Sequence, residues 1–426
     1  MGSYYTPVDV ARFFWAEFFP QAGITDAASA RAYLETHHFI EPSVGAGALF
    51  FALLERFALM GLTPETLSRI SADLVDLNDR ALGFVRSEVS SLEASWGVRF
   101  AKLNCVHGDF RQFRPSHADR PSVLFGNPPF VSNGPGTSKW KNLFADFLEI
   151  ALRESKEGGA VQFVLPLSVA FSKDYRELRG MLRDHKRAIV LSSFDNIPDT
   201  LFKSGKPLHG NTNKANSQRC SILGVFPSGA HRVLSTRLHR WARAERASIL
   251  GSPPKYMDVT SYGFDDQFPR PANERILDYL DVSNGGGRLG DMVARDGGHR
   301  LHVAGVARNY IGIRDVSGSG VHDLGFARRG DFYGALQILG SDLFLDYWLS
   351  VGDGFHLTKA NLLNFPLHPV LVGVIRSRQR KAENVWRMRG KYEKTKLNAG
   401  RETKSFDFSK AFDSLYILNT GIIVAA

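Results

Sequence analysis

From its start to about residue 226, the chain alternates short apolar runs with longer segments of helical apolar spacing. The runs at His38–Glu41, Ser71–Asp76, Asn104–His107, Ser122–Gly126, Ala160–Leu165, Arg187–Phe194 and Gln218–Phe226 read as strands. Ala46–Met60, Asp79–Ser90, Trp140–Ser155 and Lys173–His185 read as helices. Alternation at this spacing predicts an α/β fold with a doubly wound, mostly parallel sheet. Lys203–Ser217, polar and rich in Gly, Pro and Asn, reads as a loop. Beyond about residue 227 Gly, Pro and Arg become frequent, and helical periodicity is lost until about residue 340. Three regions are therefore expected: a first domain over 1–229, an irregular α+β domain over 230–370, and a basic helical tail over 371–426.

A length of 426 residues with 43% hydrophobic content suffices for two domains with real cores. No run of 18 uncharged apolar residues reads as a membrane span, and no secretory signal is read. Two cysteines, Cys105 and Cys220, are too few for a disulfide scaffold or a zinc cluster, which fits a cytoplasmic location. The histidines show no metal-ligand spacing, so no metal is expected. The net charge of +10 favours a polyanionic partner. It is concentrated: Leu371–Ser405 holds 11 Lys and Arg against three acids.

Glu41-Pro42-Ser43-Val44-Gly45-Ala46-Gly47 lies between a predicted strand and a predicted helix. Its two glycines let backbone approach a ligand closely at a helix start. The motif is not G-x-G-x-x-G, because Phe50 stands at the third position, and this argues against a dinucleotide pyrophosphate. The acid before the turn suits a positive amino group, as in the methionine part of S-adenosylmethionine. Asp76-Leu77 ends the second strand, where a carboxylate usually holds a ribose diol. Asp109-Phe110 follows the third strand, and Asp109 could accept from an adenine amino group. Taken singly, Asp76 also fits a helix cap and Asp109 a turn. Three acids at three successive strand ends are much harder to obtain by chance.

Asn127-Pro128-Pro129-Phe130 follows the fourth strand. An amide, two rigid prolines and an aromatic ring make a planar clamp for a flat group with an exocyclic amine. The prolines fix φ and hold the acceptors in place.

With these residues the chain resembles the gamma-class DNA adenine-N6 methyltransferases of restriction–modification and phage-defence systems. The resemblance covers residues 4 to about 226. Tyr5-Thr6-Pro7 is similar to that family's leading motif, which lies over the cofactor; the Glu41–Gly47 turn, Asp76, Asp109 and Asn127–Phe130 follow in the family's order. Phe147 matches an aromatic that packs on the cofactor adenine. The resemblance implies a Rossmann-like class I methyltransferase domain that uses S-adenosylmethionine. It implies cofactor contacts from Tyr5, Thr6, Pro7, Glu41, Ser43, Gly45, Gly47, Asp76, Leu77, Asp109, Phe110 and Phe147. It implies catalysis by Asn127, Pro128, Pro129 and Phe130 on an adenine flipped from double-stranded DNA.

Phe202 is a candidate for the second face of that base, and equally a core residue. Asp353–Leu357 and Phe365–Leu367 resemble, more loosely, segments of larger members in which DNA recognition follows the catalytic domain. Arg308, Asn309, Tyr310 and Arg314 have the residue types that contact base edges, and Arg308 and Arg314 are taken as substrate-binding candidates. The size of 230–370 raises a specificity or restriction subunit as a further partner. Similar four-residue clamps occur in RNA guanine and protein glutamine methyltransferases. An RNA or protein methyltransferase and an inactive DNA-binding subunit of a defence complex are the alternative readings.

Overall fold

A computed structural model of the chain describes residues 6–116, 119–155, 157–184, 187–202, 218–262, 266–283, 285–398, 401–412, 416–417 and 423–424. Tyr5 and the loop expected over Lys203–Ser217 lie outside these residues. The chain divides into two compact units after Gln267.

The first unit is built on a nine-stranded sheet of order β3-β2-β1-β4-β5-β7-β6-β8-β9. Its strands are β1 (His38–Glu41), β2 (Ser71–Asp76), β3 (Lys102–His107), β4 (Ser122–Gly126), β5 (Ala160–Pro166), β6 (Ala188–Phe194), β7 (Cys220–Phe226), β8 (Arg232–His239) and β9 (Met257–Asp258). β1 to β5 are mutually parallel, and β7 runs against both β5 and β6. The doubly wound, mostly parallel sheet expected from the sequence is present. Its central strands β1, β4 and β5 are buried along their whole length, as helices on both faces require.

The helices α1 (Val8–Gln21), α2 (Ala27–Thr36), α3 (Ala48–Leu59), α4 (Pro64–Leu67), α5 (Asp79–Trp96), α6 (Leu143–Glu154) and α7 (Arg176–Asp184) follow one another along this unit. The Trp15 indole N–H donates to the Leu49 carbonyl at 2.7 Å, fixing α1 against the start of α3. The start of β2 is tied to β1 by a buried network. His38 bridges Ser71 and Asp73, and Asp73 also accepts from Asn104 and Ser116. Burial alone would raise the Asp73 carboxyl. The hydrogen bonds from His38, Ser116 and Asn104 outweigh it and hold the pKa at about 2.

The first unit runs past the boundary expected at 229. β8 pairs in parallel with β6, and β9 pairs with β8, so residues 232–258 complete the same sheet. These strands are mixed in burial, which is why they lack the continuous apolar runs of the centre.

The second unit holds a five-stranded antiparallel sheet of order β13-β11-β12-β16-β15. Its strands are β11 (His299–Ala304), β12 (Ile313–Arg314), β13 (Val321–Phe326), β15 (Glu393–Asn398) and β16 (Arg401–Phe406), while β10 (Gly287–Arg288) and β14 (Pro366–Leu367) pair separately. Leu301, Val303, Ile313, Leu324, Phe326 and Phe406 are buried on one face. There Phe326 meets Phe332 of one helix (Arg329–Leu339), and Phe406 meets Trp386 of another (Gln379–Arg387). Two expectations are corrected. Helices at Glu274–Val282 and Arg329–Leu339 precede residue 340. Among the described residues the tail is α-helical to Arg387, passes through a short 3-10 turn at Arg389–Tyr392 and then forms the β15–β16 hairpin. Among the described residues no helix is long and apolar enough to cross a membrane.

Candidate active site

The strand order reverses between β2 and β4 on either side of β1. In open α/β sheets the crevice outside the carboxyl ends of strands at such a switch point is where ligands bind. Glu41 and Asp76 end β1 and β2, and Asp109 and Asn127 lie just past the ends of β3 and β4, all at those carboxyl ends.

After β1 the chain turns through Gly45 (φ 53°) and Gly47 (φ 77°), both left-handed, and Gly47 caps α3. A Cβ on Gly47 would stand 2.6 Å from the Phe51 ring; one on Gly45 would meet nothing. The turn is anchored to β2. Val44 N–H donates to the Val75 carbonyl at 3.0 Å, and Gly45 N–H donates to Asp76 Oδ2 at 2.8 Å. Asp76 Oδ1 accepts from the Asn78 N–H. Asp76 thus shapes the turn while remaining half-exposed.

Glu41 is 2% exposed, and its Oε2 has no hydrogen-bond partner. Burial, and then the nearby Asp76, push its pKa well above the ordinary carboxylate range; the Phe50 backbone N–H opposes them only in part. A cation beside that oxygen would satisfy it and bring the pKa back down. Leu77, next to Asp76, is 64% exposed, an apolar side chain without cover at a strand end. The orphaned acid, the open backbone at Gly45 and the bare Leu77 fit a ligand with an ammonium group, a close-lying chain and a flat ring.

Asp109 follows β3 but is engaged by Arg111, whose Nη2 and Nε lie 2.6 and 3.0 Å from Oδ2. This pairing lowers the Asp109 pKa. Phe110 is buried and packs against Phe147 of α6, ring centroids 5.1 Å apart. Phe147 is 4% exposed, so these two predicted cofactor contacts form one packed cluster with little ring surface bare.

The structure brings Thr6, Ser43 and Asn127 together from three distant stretches. Asn127 Nδ2 donates to Thr6 Oγ1 at 3.4 Å, and Ser43 Oγ donates to the Asn127 carbonyl at 3.3 Å. Pro7 caps α1, so the α1–α3 contact carries Thr6 to this point. Pro128 is buried, and Phe130 is half-buried, edge-on to Phe144 at 6.3 Å.

Phe202 is a correction. At 3% exposure it belongs to the main core cluster, so it offers no ring face to a base and is not carried forward. Arg308 lies over the Phe355 ring at 5.0 Å, and Arg314 sits on β12 opposite His302; both belong to the second unit.

Sequence reasoning missed the segment that follows Phe130. Asp146 of α6 accepts from Asn133 Nδ2 (2.6 Å) and Ser138 Oγ (2.5 Å), and Glu149 accepts from the Trp140 indole at 2.6 Å. A Ser132–Asn142 bridge closes the base of the loop. The available signal was Asp146 and Glu149 at i, i+3 on a helix whose apolar face was otherwise clear.

No family model matches the sequence, and no curated protein matches it. Among solved structures, the chain is similar to a nuclease-deletion mutant of the Type ISP restriction-modification enzyme LlaGI in complex with a DNA substrate mimic. The identity is 11% and the TM-score 0.51, over 93% of this chain and 48% of that one. A DrdV–DNA complex matches at 15% identity and a TM-score of 0.48, over 72% of this chain and 35% of that one. A putative class I S-adenosylmethionine-dependent methyltransferase from Listeria monocytogenes matches at 17% and 0.37, over 58% and 69%. The chain spans about half the length of LlaGI. The likeness to the LlaGI structure is one of fold, here a mostly parallel sheet in the first unit followed by a second unit with an antiparallel sheet.

Proposed function

We propose that the chain is a site-specific DNA adenine-N6 methyltransferase of a restriction–modification or phage-defence system. The observation that carries this reading is the meeting of Thr6, Ser43 and Asn127 beside the Gly45–Gly47 turn. The clamp on β4 and the candidate cofactor turn on β1 are parts of one crevice.

Glu41, Asp76 and Leu77 would hold the amino group, ribose and adenine of S-adenosylmethionine. When bound, that cofactor supplies an electrophilic methyl group. The adenine N6 lone pair is delocalised into the ring and attacks poorly. Asn127 Oδ1 and the Pro128 carbonyl accept the two amine hydrogens, draw them from the ring plane and localise the lone pair on nitrogen. No strong general base is required, because the amine proton becomes acidic once nitrogen carries the methyl group. The rest of the rate comes from alignment of the reacting atoms. Phe130 stacks on the flipped base, a contact worth about 1–3 kcal/mol in comparable base–aromatic pairs. The LlaGI structure similar in fold is a complex with a DNA substrate mimic, which supports a DNA substrate here.

The test is methyl transfer from labelled S-adenosylmethionine to unmethylated plasmid DNA, followed by nucleoside analysis. N6-methyladenine is expected from the wild type. Asn127→Ala should lose roughly 100-fold or more in kcat, the scale of removing one positioned hydrogen-bonding group, while cofactor affinity by calorimetry stays within about threefold. Label appearing in RNA or protein instead would overturn the reading.

A further inference from the structure

The five-stranded sheet of the second unit has two chemically opposite faces. One packs on helices, as described above. The register places the other face residue by residue. His302 pairs with Arg314 and with Asp323, and Lys394 pairs with Ser405. Ile313 pairs with Phe406, so Arg314 stands in the row beside Ser405. Directly paired residues share a face, and so do residues two apart on a strand. Arg300, His302, Arg314, Thr403, Ser405, Lys394 and Lys396 therefore lie on one face. Side-chain contacts agree: Tyr310 OH lies 3.2 Å from Ser405 Oγ, and Lys396 Nζ stands 4.6 Å over the Tyr310 ring.

The charges are sorted between the faces. Lys394, Lys396 and Arg300 are exposed and Arg314 is half-buried, all on the open face. The open-face acid, Asp323, is already engaged by His302 Nδ1 (2.6 Å) and Ser317 Oγ (2.5 Å). On the hairpin, Glu393 pairs with Phe406 and so points to the helix side, where it meets Lys404 Nζ at 3.0 Å. An unbiased hairpin of this composition would mix its signs on both faces. Here lysine alternates with Glu393 and Thr395, so one face collects unopposed cations and hydroxyls. Cations with Ser, Thr and Tyr hydroxyls form the donor set that binds phosphate oxygens without reading bases.

We propose that this open face, centred on Lys394, Lys396, Arg314 and Tyr310, is a docking surface for the phosphodiester backbone of double-stranded DNA. It rests on the reading of the chain as a DNA-modifying enzyme and adds where the duplex is held. The basic segment beyond residue 371 then acts through a sheet face, not through a helix. Its contribution is sequence-independent and salt-sensitive, because each neutralised phosphate releases condensed counterions.

The experiment uses the full chain and a fluorescent 30-base-pair duplex, with affinity measured by anisotropy over a range of KCl concentrations. Lys394→Ala/Lys396→Ala should lower the slope of log affinity against log salt by roughly 0.9 for each lost phosphate contact, with about a 10-fold or greater affinity loss at low salt. Lys404→Ala, on the opposite face of the same hairpin, should stay within about twofold. Lys396→Arg keeps the charge and should retain the slope, which separates lost contacts from a misfolded sheet. Equal losses from both faces, or none from either, would overturn the proposal. So would tighter, face-dependent binding of an RNA duplex of the same length. Methylation measured on the same variants separates the two readings. Face-dependent DNA binding without methyl transfer keeps this surface and sinks the enzyme reading. N6-methyladenine formation with an unchanged KM for DNA in the double variant does the reverse.

Discussion

At the scale of single residues, the turn after β1 carries the sharpest distinction. Gly45 and Gly47 both have positive φ, which costs a side chain about 1–2 kcal/mol. Only at Gly47 would a Cβ also strike a neighbour, the Phe51 ring at 2.6 Å. Gly45→Ala should therefore lower stability by about 1 kcal/mol, from backbone strain alone. Gly47→Ala should lose about 2–3 kcal/mol, because the ring must move as well, and the displaced start of α3 should weaken S-adenosylmethionine binding more than in Gly45→Ala. Urea denaturation and calorimetry of both variants check this. Equal losses would mean that Phe51 rotates freely and the turn is not built on it.

At the scale of elements, the parallel strands are readable because each is an apolar run with a polar or glycine-rich exit, and those exits carry the candidate site. Glu41, Asp76, Asp109 and Asn127 could be placed for that reason. Phe202 could not: a Phe after a strand is equally a core residue, and only packing decides. β8 and β9, the last two strands on one side of the sheet, were missed because strands of mixed burial lack a continuous apolar run. The hairpin at 393–406 falls in the expected helical tail because strand alternation of Lys with Glu and Thr carries no apolar signal.

The loop over 131–142 was invisible for another reason: its order comes from Asp146, which lies beyond it on α6. Asp146→Ala removes both acceptors, leaving Asn133 Nδ2 only the Trp140 carbonyl and Ser138 Oγ only the Trp140 N–H. Amide exchange across 131–142 should rise about tenfold or more while β4 is unchanged. With Phe130 at the loop's entrance, kcat/KM for DNA should fall about tenfold with cofactor affinity retained. Unchanged exchange would show that the Ser132–Asn142 bridge and the Trp140–Glu149 bond suffice to hold the loop.

At the scale of the molecule, the stability of the first unit should depend on pH through two buried acids of opposite sign. Asp73 has a native pKa of about 2, against an ordinary value of 3.8. Its contribution is present above pH 3.8 and is lost as pH falls through about 2. Glu17 is the reverse. It sits on α1 in the core, and its Oε1 accepts from Ser192 of β6 and from Tyr256 just before β9. Burial raises its pKa from 4.5 to about 8, and the two hydroxyls lower it only in part. Between those values the native chain keeps a proton that the unfolded chain releases. Stability should therefore fall with rising pH from about 4.5, by about 1.4 kcal/mol per pH unit, and level off above about 8. Glu17→Gln keeps an acceptor for Ser192 and Tyr256 and removes the titration. Its stability curve should be flatter across this window and should converge with that of the wild type towards pH 4.5. Urea denaturation from pH 4 to pH 9 on both proteins measures the difference. Curves that stay parallel over the whole range would show that Glu17 is ionised in the native core, with water reaching its Oε2.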